Sequence, residues 1–216
     1  MAIKLVELKQ LGKETNETIT SAKNEWISFL DFSAELYRYS TKNKVYMYAQ
    51  RPDATAVASS KTWNNRMMRW IKKGSKGIGY IVHSNNRDHV EYVFDISDTM
   101  GIKGLSGIEP HKWRMNSDDR DQSVPYLIER YHPTLETENT PTLKDAVNGY
   151  VNDYCEEIRE DGDFSNETQY LIGSENQWKE FENELSRLIA SSSAYLIGRR
   201  CGFEKDELET LAEDID

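Results

Sequence analysis

Residues 70–97 read WIKKGSKGIGYIVHS (70–84), NNRDH (85–89) and VEYVFDIS (90–97), and this stretch decides the fold. Upstream of it the apolar residues recur at helical spacing; here the pattern changes to that of strands. Gly74 and Gly77 punctuate a turn, residues 78–82 are rich in β-branched and aromatic side chains, and residues 90–97 repeat that character across a polar turn. Two antiparallel strands joined by a short turn are therefore expected, with the helices that precede them packed on one side. The fold class expected is α+β: N-terminal helices on a small antiparallel sheet, followed by a helical, acidic C-terminal part.

Working back towards the N terminus, Ser21 and Asn24 stand where a helix cap would, just before Trp26, Phe29, Leu30, Ser33, Leu36 and Tyr37. The i, i+3, i+4 recurrence predicts an amphipathic helix over residues 22–39. Thr41 or Asn43 starts a second helix that runs to Gln50 and is ended by Pro52. The segment DATAVASSKTW reads as a loop feeding a third helix over 59–68. Working forward, residues 99–141 are rich in Gly, Pro, Asp and Ser and read as a loop-rich connection with one short helix near 124–130. Helical periodicity resumes at 142–160 and 175–200, the latter with Trp178, Phe181, Leu185, Leu188, Ile189, Tyr195 and Leu196 as its buried stripe, and a last helix follows near 205–212. The organisation expected is a module over 1–98, the connection over 99–141, and an acidic helical part over 142–216 packing on the module.

Charge is distributed unevenly along these parts. Residues 1–100 hold 15 Lys and Arg against 11 Asp and Glu, a net of +4; residues 101–216 hold 12 against 26, a net of −14, giving −10 for the chain. Between Arg38 and Lys76 ten bases face one acid, Asp53, and the bases are interleaved with Tyr37, Tyr39, Tyr46, Tyr48, Trp63, Trp70 and Tyr80. Cations neutralise phosphates and release counterions without regard to sequence. Flat π-faces stack unpaired bases at roughly 1–3 kcal/mol each. The combination suits single-stranded nucleic acid. For any one ring the alternative is a place in the core with the lysines as a solvated rim; for the whole cluster, in an acidic protein, binding is the reading taken.

Other motifs carry less. KKGSKG (72–77) lacks the GxxxxGK[ST] pattern before a helix; its glycines and lysines suit an anion nest or an ordinary turn equally. His83, His89, His111 and His132 form no HExxH or ligand-spaced cluster, and Asp118, Asp119 and Asp121 lack the Gly and terminal Glu of a calcium loop. No metal and no cofactor are expected. The opening MAIKLVELKQLGKE is not a secretory signal, Met1 reads as an authentic start, and no apolar run reaches the roughly 20 residues of a membrane span. Cys155 and Cys201 are too few for a disulfide framework, so a reduced, cytoplasmic setting is expected.

The first hundred residues also resemble a known family. Trp26-x-x-Phe29-Leu30, Tyr37-Arg-Tyr-Ser40, Asn43, the run YAQRPDATAVAS (48–59), Trp63 and KKGSKG (72–77) are similar, in order and spacing, to the N-terminal domain of ArdC-type antirestriction proteins. The resemblance covers residues 20–97; SAYLIGRRCG near the end of 181–202 is more weakly similar to a helix that follows this module in related proteins. It implies a single-stranded-DNA-binding module of conjugative plasmid, transposon and phage proteins. The metallopeptidase domain that such proteins also carry has an HExxH, which this chain lacks, so no peptidase activity is carried over.

The function expected is thus non-catalytic binding of single-stranded DNA in DNA transfer or antirestriction. The phosphate contacts expected are Lys42, Lys44, Arg51, Lys61, Arg66, Arg69, Lys72, Lys73 and Lys76, and the stacking candidates are Tyr46, Tyr48, Trp63, Trp70 and Tyr80. Asn43 and Gln50 either hydrogen-bond bases or cap helices. A second reading makes the acidic half a nucleic-acid mimic that inhibits a host defence nuclease of the restriction or CRISPR kind. A third, enzymatic reading needs His83 or His111 with Asp95, Asp98 or Asp119.

Overall fold

The computed structural model describes residues 3–101, 107–111, 115–131, 143, 147, 149–151, 153, 175–213 and 215. Its first unit, Met1–Trp113, opens with α1 (Leu5–Ile19), α2 (Lys23–Glu35) and α3 (Thr41–Gln50). Strand β1 (Val57–Ala58), helix α4 (Ser60–Arg66), strands β2 (Arg69–Ile71), β3 (Ile78–Ser84) and β4 (Arg87–Asp95), a 3-10 turn (Ile96–Asp98) and β5 (Thr99–Gly101) complete it. β4 lies between β1 and β3 in an antiparallel sheet, and β2 pairs antiparallel with β5 as a separate ribbon. The α+β architecture with N-terminal helices and a small antiparallel sheet is the one the hairpin sequence predicts.

Local chemistry explains most boundaries. Asn85 and Asn86 both take positive φ, 49° and 60°, the conformation a tight two-residue hairpin turn demands and Asn tolerates. The hairpin then runs in register from Ser84↔Arg87 to Ile78↔Val93. Ser40 caps α3 by accepting from the Asn43 amide, and Ser59 caps α4 by accepting from that of Thr62. α2 stops at Glu35, four residues short of the expected end, because Leu36 leaves helical geometry.

Three apolar clusters hold this unit together, two between the helices and the sheet and the third among the helices alone. Phe32, Leu36, Met47, Ala54, Ile78 and Val93 form one; Leu8, Tyr46 and Ile81 a second; Ile19, Phe29 and Val45 a third. Helix α1 is absent from the sequence expectations, yet Leu8 is fully buried and Gly12 sits against the Tyr46 ring with no room for a Cβ. The unit also continues past residue 98. β5 pairs with β2, and the Ile108 N–H donates to Met67 O at 2.9 Å.

In the second unit, Arg114–Asp216, α5 (Ser117–Tyr131) is twice the length expected. Asn116 caps it by accepting from the Asp119 N–H at 2.8 Å, while Asp118 and Asp119 complement the helix dipole, so NSDD is a helix start and not a solvated loop. Within the expected helix 142–160, the described residues 143, 147, 149–151 and 153 are helical, with Leu143, Val147 and Val151 buried; the rest lies outside the described residues, as does His132. Helix α6 (Glu175–Cys201) ends at Gly202, φ +74°, and α7 (Lys205–Leu211) follows with Glu204 and Glu207 forming a capping box. The buried face of α6 differs from the expected stripe. Tyr195 is buried as expected, but Phe181 and Ile189 are exposed, and Ala190, Ala194 and Cys201 are buried in their place. Small residues win there because Leu208 and Leu211 of α7 pack directly over Gly198.

Candidate nucleic-acid interface

The residues between Arg38 and Lys76 do not form one continuous track. Two of the five stacking candidates are held inside the helical and sheet packing, and two more are half-buried. Trp63 is 1% exposed and its indole Nε1 donates to Phe94 O at 2.8 Å. Tyr46 is buried between Leu8 and Ile81. Tyr48 is half-buried, meeting Phe29 and Phe32 edge-on at 5.6 and 5.2 Å, and burial pushes its phenol pKa up. Tyr80 is also half-buried, edge-on to Tyr39, with its hydroxyl donating to Glu91 at 2.8 Å; burial and that carboxylate push its pKa up. Trp63 and Tyr46 are core side chains and leave the stacking set.

The side chains of Asn43 and Gln50 bond to the backbone of β3. In a hairpin, alternate residues of an outer strand turn their N–H and C=O away from the partner. On β3 those residues include Gly79 and Ile81. The Asn43 amide donates to Ile81 O at 3.1 Å and accepts from Ile81 N at 3.2 Å. Seven residues on, one helical face later, the Gln50 amide donates to Gly79 O at 2.8 Å and accepts from Gly79 N at 2.9 Å. Two side-chain amides thus close the free edge of β3, and a Cβ at Gly79 would crowd Ile3 and Val90 at 3.0 and 3.2 Å.

Two of the arginines are committed to acids. Arg51 donates to Asp98 Oδ2 and to Ser97 Oγ, both at 2.7 Å, and lies 3.5 Å from Asp53. Arg69, whose side chain is only 12% exposed, donates to Thr99 Oγ1 and to Glu109, both at 2.7 Å. Lys72 joins Arg51 at the same turn: its backbone N–H donates to Asp98 O and its Nζ to Ser97 O. Just upstream, Asp95 is buried. Burial raises its pKa, but the N–H groups of Ser97, Ala56 and Thr55, at 2.9, 3.0 and 2.8 Å, outweigh it and the net shift is downward. Asp95 and Asp98 therefore organise backbone and an arginine, and neither faces His83 or His111 in any hydrogen bond. Among the described residues, no three of His, Cys, Asp and Glu converge as a metal site requires, and no helix is long and apolar enough to cross a membrane.

The exposed stacking candidate, Trp70, lies on the β2–β5 ribbon. Trp70 is 41% exposed and stands directly opposite Met100, itself 50% exposed, so both project from the outer face. Met68 and Ile108 are also exposed beside this ribbon. Lys61 and Arg66 on α4 lead into β2; Lys72, Lys73 and Lys76 lie on the turn that leaves it, where Gly74 adopts φ +93°. All five cations are exposed. Lys42 and Lys44, the second half-buried, sit at the other end of α3, about 10–14 Å along the helix from Arg51. Sequence reasoning missed Met68, Met100 and Ile108, although the alternation of Met68 and Trp70 ahead of KKGSKG is the signal of a half-exposed strand.

No protein-family model, no curated protein and no solved structure matches this chain.

Proposed function

We propose that this protein binds single-stranded DNA without catalysis, gripping the strand on the β2–β5 ribbon, in the cytoplasm of a cell that hosts a mobile element or phage. The observation that carries the reading is the exposed Trp70 indole beside a cationic turn. The ring and its Met100 neighbour offer a flat apolar surface to an unstacked base, and Lys61, Arg66, Lys73 and Lys76 offer charge to the flanking phosphates. The resemblance of residues 20–97 to the ArdC-type module favours an unpaired strand over a duplex and suggests a role in DNA transfer or antirestriction.

The test is a fluorescence-anisotropy titration of labelled single-stranded and duplex oligonucleotides across a salt series. Single strands bind more tightly, and Trp70→Ala weakens them by roughly 1–3 kcal/mol. Lys72→Glu with Lys73→Glu weakens binding further and flattens its salt dependence. Equal affinity of wild type and Trp70→Ala removes the ribbon from the interface.

The second reading, a protein-directed inhibitor, draws on the net −14 of residues 101–216 and on the exposure of Asp118, Asp119 and Glu129 along α5. Binding of a purified defence nuclease that persists after these acids are neutralised counts against charge mimicry.

A further inference from the structure

Among the described residues the methionines divide by exposure. Met47 is fully buried and Met67 and Met115 are half-buried, whereas Met68 and Met100 are 44% and 50% exposed. The two exposed ones are not scattered. Met100 is the cross-strand partner of Trp70, and Met68 lies two residues before it at positive φ. Directly opposed residues of an antiparallel pair hold their Cβ atoms about 4.5–5.5 Å apart, so the Met100 thioether shares its surface with the indole. Thioethers are soft and polarizable and make favourable contacts with aromatic rings, which suits them to a base-stacking surface.

The same exposed sulfur is open to a mild oxidant. A hydroperoxide transfers one oxygen atom to the thioether. The sulfur lone pair attacks the near oxygen, the O–O bond breaks, an S–O bond forms, and the leaving oxygen takes up the proton to depart as water or an alcohol. Sulfur is oxidised by two electrons and the peroxide reduced by two. The product sulfoxide is polar and chiral, and it is reversible by sulfoxide reductases.

Resting on the single-strand reading above, we infer that Met68 and Met100 form a modification site through which hydroperoxides weaken the grip on DNA. Oxidation places a polar oxygen on the face where a base lies against Trp70. It leaves the buried Met47, and with it the core beneath the sheet, untouched.

The experiment treats the full chain with dilute hydrogen peroxide, maps oxygen addition by peptide mass spectrometry, and titrates a labelled oligo-dT by anisotropy. Oxygen is expected at Met68 and Met100 before Met47, with a roughly tenfold loss of affinity, within the range a stacked base supplies. Reductases specific for the two sulfoxide epimers restore binding. Met68→Leu with Met100→Leu, compared with its own untreated affinity, shows no further loss on peroxide treatment. Unchanged affinity with both methionines oxidised overturns the inference while leaving the single-strand reading intact. An equal loss in the leucine variant, or a collapsed circular-dichroism spectrum after oxidation, overturns it too. An untreated protein that fails to bind oligo-dT removes both.

Discussion

Replacing Gln50 by Leu separates a structural amide from a base-reading one. Gly79 is buried, and its N–H and C=O are both satisfied by the Gln50 side chain at 2.9 and 2.8 Å. Leucine has similar bulk but no polar atoms, so both backbone groups lose their partner where water does not reach. Each orphaned group costs about 1–3 kcal/mol, and the better burial of Leu returns about 1; the net expected loss is about 1–5 kcal/mol. Urea unfolding followed by circular dichroism measures it, and amide hydrogen exchange localises it, because Gly79 should lose protection while Val82 in the same strand retains it. Gln50→Glu sharpens the test. A carboxylate still accepts from Gly79 N–H but opposes Gly79 O with a second acceptor, so this variant is less stable than wild type at neutral pH. It recovers in acid, where the protonated carboxyl donates as the amide did. A Gln50→Leu loss below about 1 kcal/mol refutes the edge-closing role. So does normal folding combined with weakened oligonucleotide binding, which would place Gln50 at the bases.

Further expectations follow from the same packing. Gly12→Ala should gain about 1 kcal/mol of helix propensity, yet its Cβ meets the buried Tyr46 ring, and overpacking of about 1–3 kcal/mol leaves the variant less stable in urea. Trp63→Ala should cost about 3–5 kcal/mol in the same assay, whereas Trp70→Ala should cost under about 1, because only the first ring is in the core. Asp95→Asn should lose about 2 kcal/mol at pH 7. The folded-state pKa of Asp95 lies below its unfolded value of about 3.9, so its stabilisation is present above that pH and disappears as pH falls through the folded value. The gap between variant and wild type should therefore close in acid; a gap independent of pH refutes the assignment. Asp88, held at about 2 by Lys9 and then His83, should keep α1 tied to the hairpin until the most acidic part of the same titration, read as the exchange rate of α1 amides.

The elements that could be read from sequence are those whose signals are local. Ser40, Ser59 and Pro52 bound α3 and α4, and the Asn85-Asn86 turn sets the hairpin, because capping and turn chemistry act within a few residues. Helix α1 was hidden because Gly12 interrupts a sparse apolar set and depresses helix propensity, although that glycine is what lets α3 approach. Ring burial was not legible at all. Val45, Tyr46 and Met47 are consecutive and all buried, since α3 touches α1, α2 and β3 together, and a helix packed on several sides shows no one-faced periodicity. Nothing within residues 38–80 distinguishes Tyr46 from Trp70 until the sheet is in place. The acids that claim Arg51 and Arg69, Asp98 and Glu109, lie 47 and 40 residues away, beyond the reach of any local charge count.

That long-range pairing changes what a salt titration should report. The sequence offers nine cations for phosphates: Lys42, Lys44, Arg51, Lys61, Arg66, Arg69, Lys72, Lys73 and Lys76. Each neutralised phosphate of a single strand contributes about 0.7 to the slope of log K against log salt, so nine contacts predict a slope near −6. The ribbon reading withdraws Arg51 and Arg69 to their carboxylates, places Lys42 and Lys44 at the far end of α3, and leaves Lys61, Arg66, Lys73 and Lys76, with Lys72 partly engaged by Ser97. Four or five contacts predict a slope of about −3. Asp98→Asn supplies the internal control, because releasing Arg51 should steepen the slope by up to about 0.7 if that guanidinium then reaches the strand. Lys42→Gln with Lys44→Gln should leave the slope where it was. A measured value near −6, lowered by that double substitution, would mean that the strand runs the length of α3 and that the ribbon is only one end of its path.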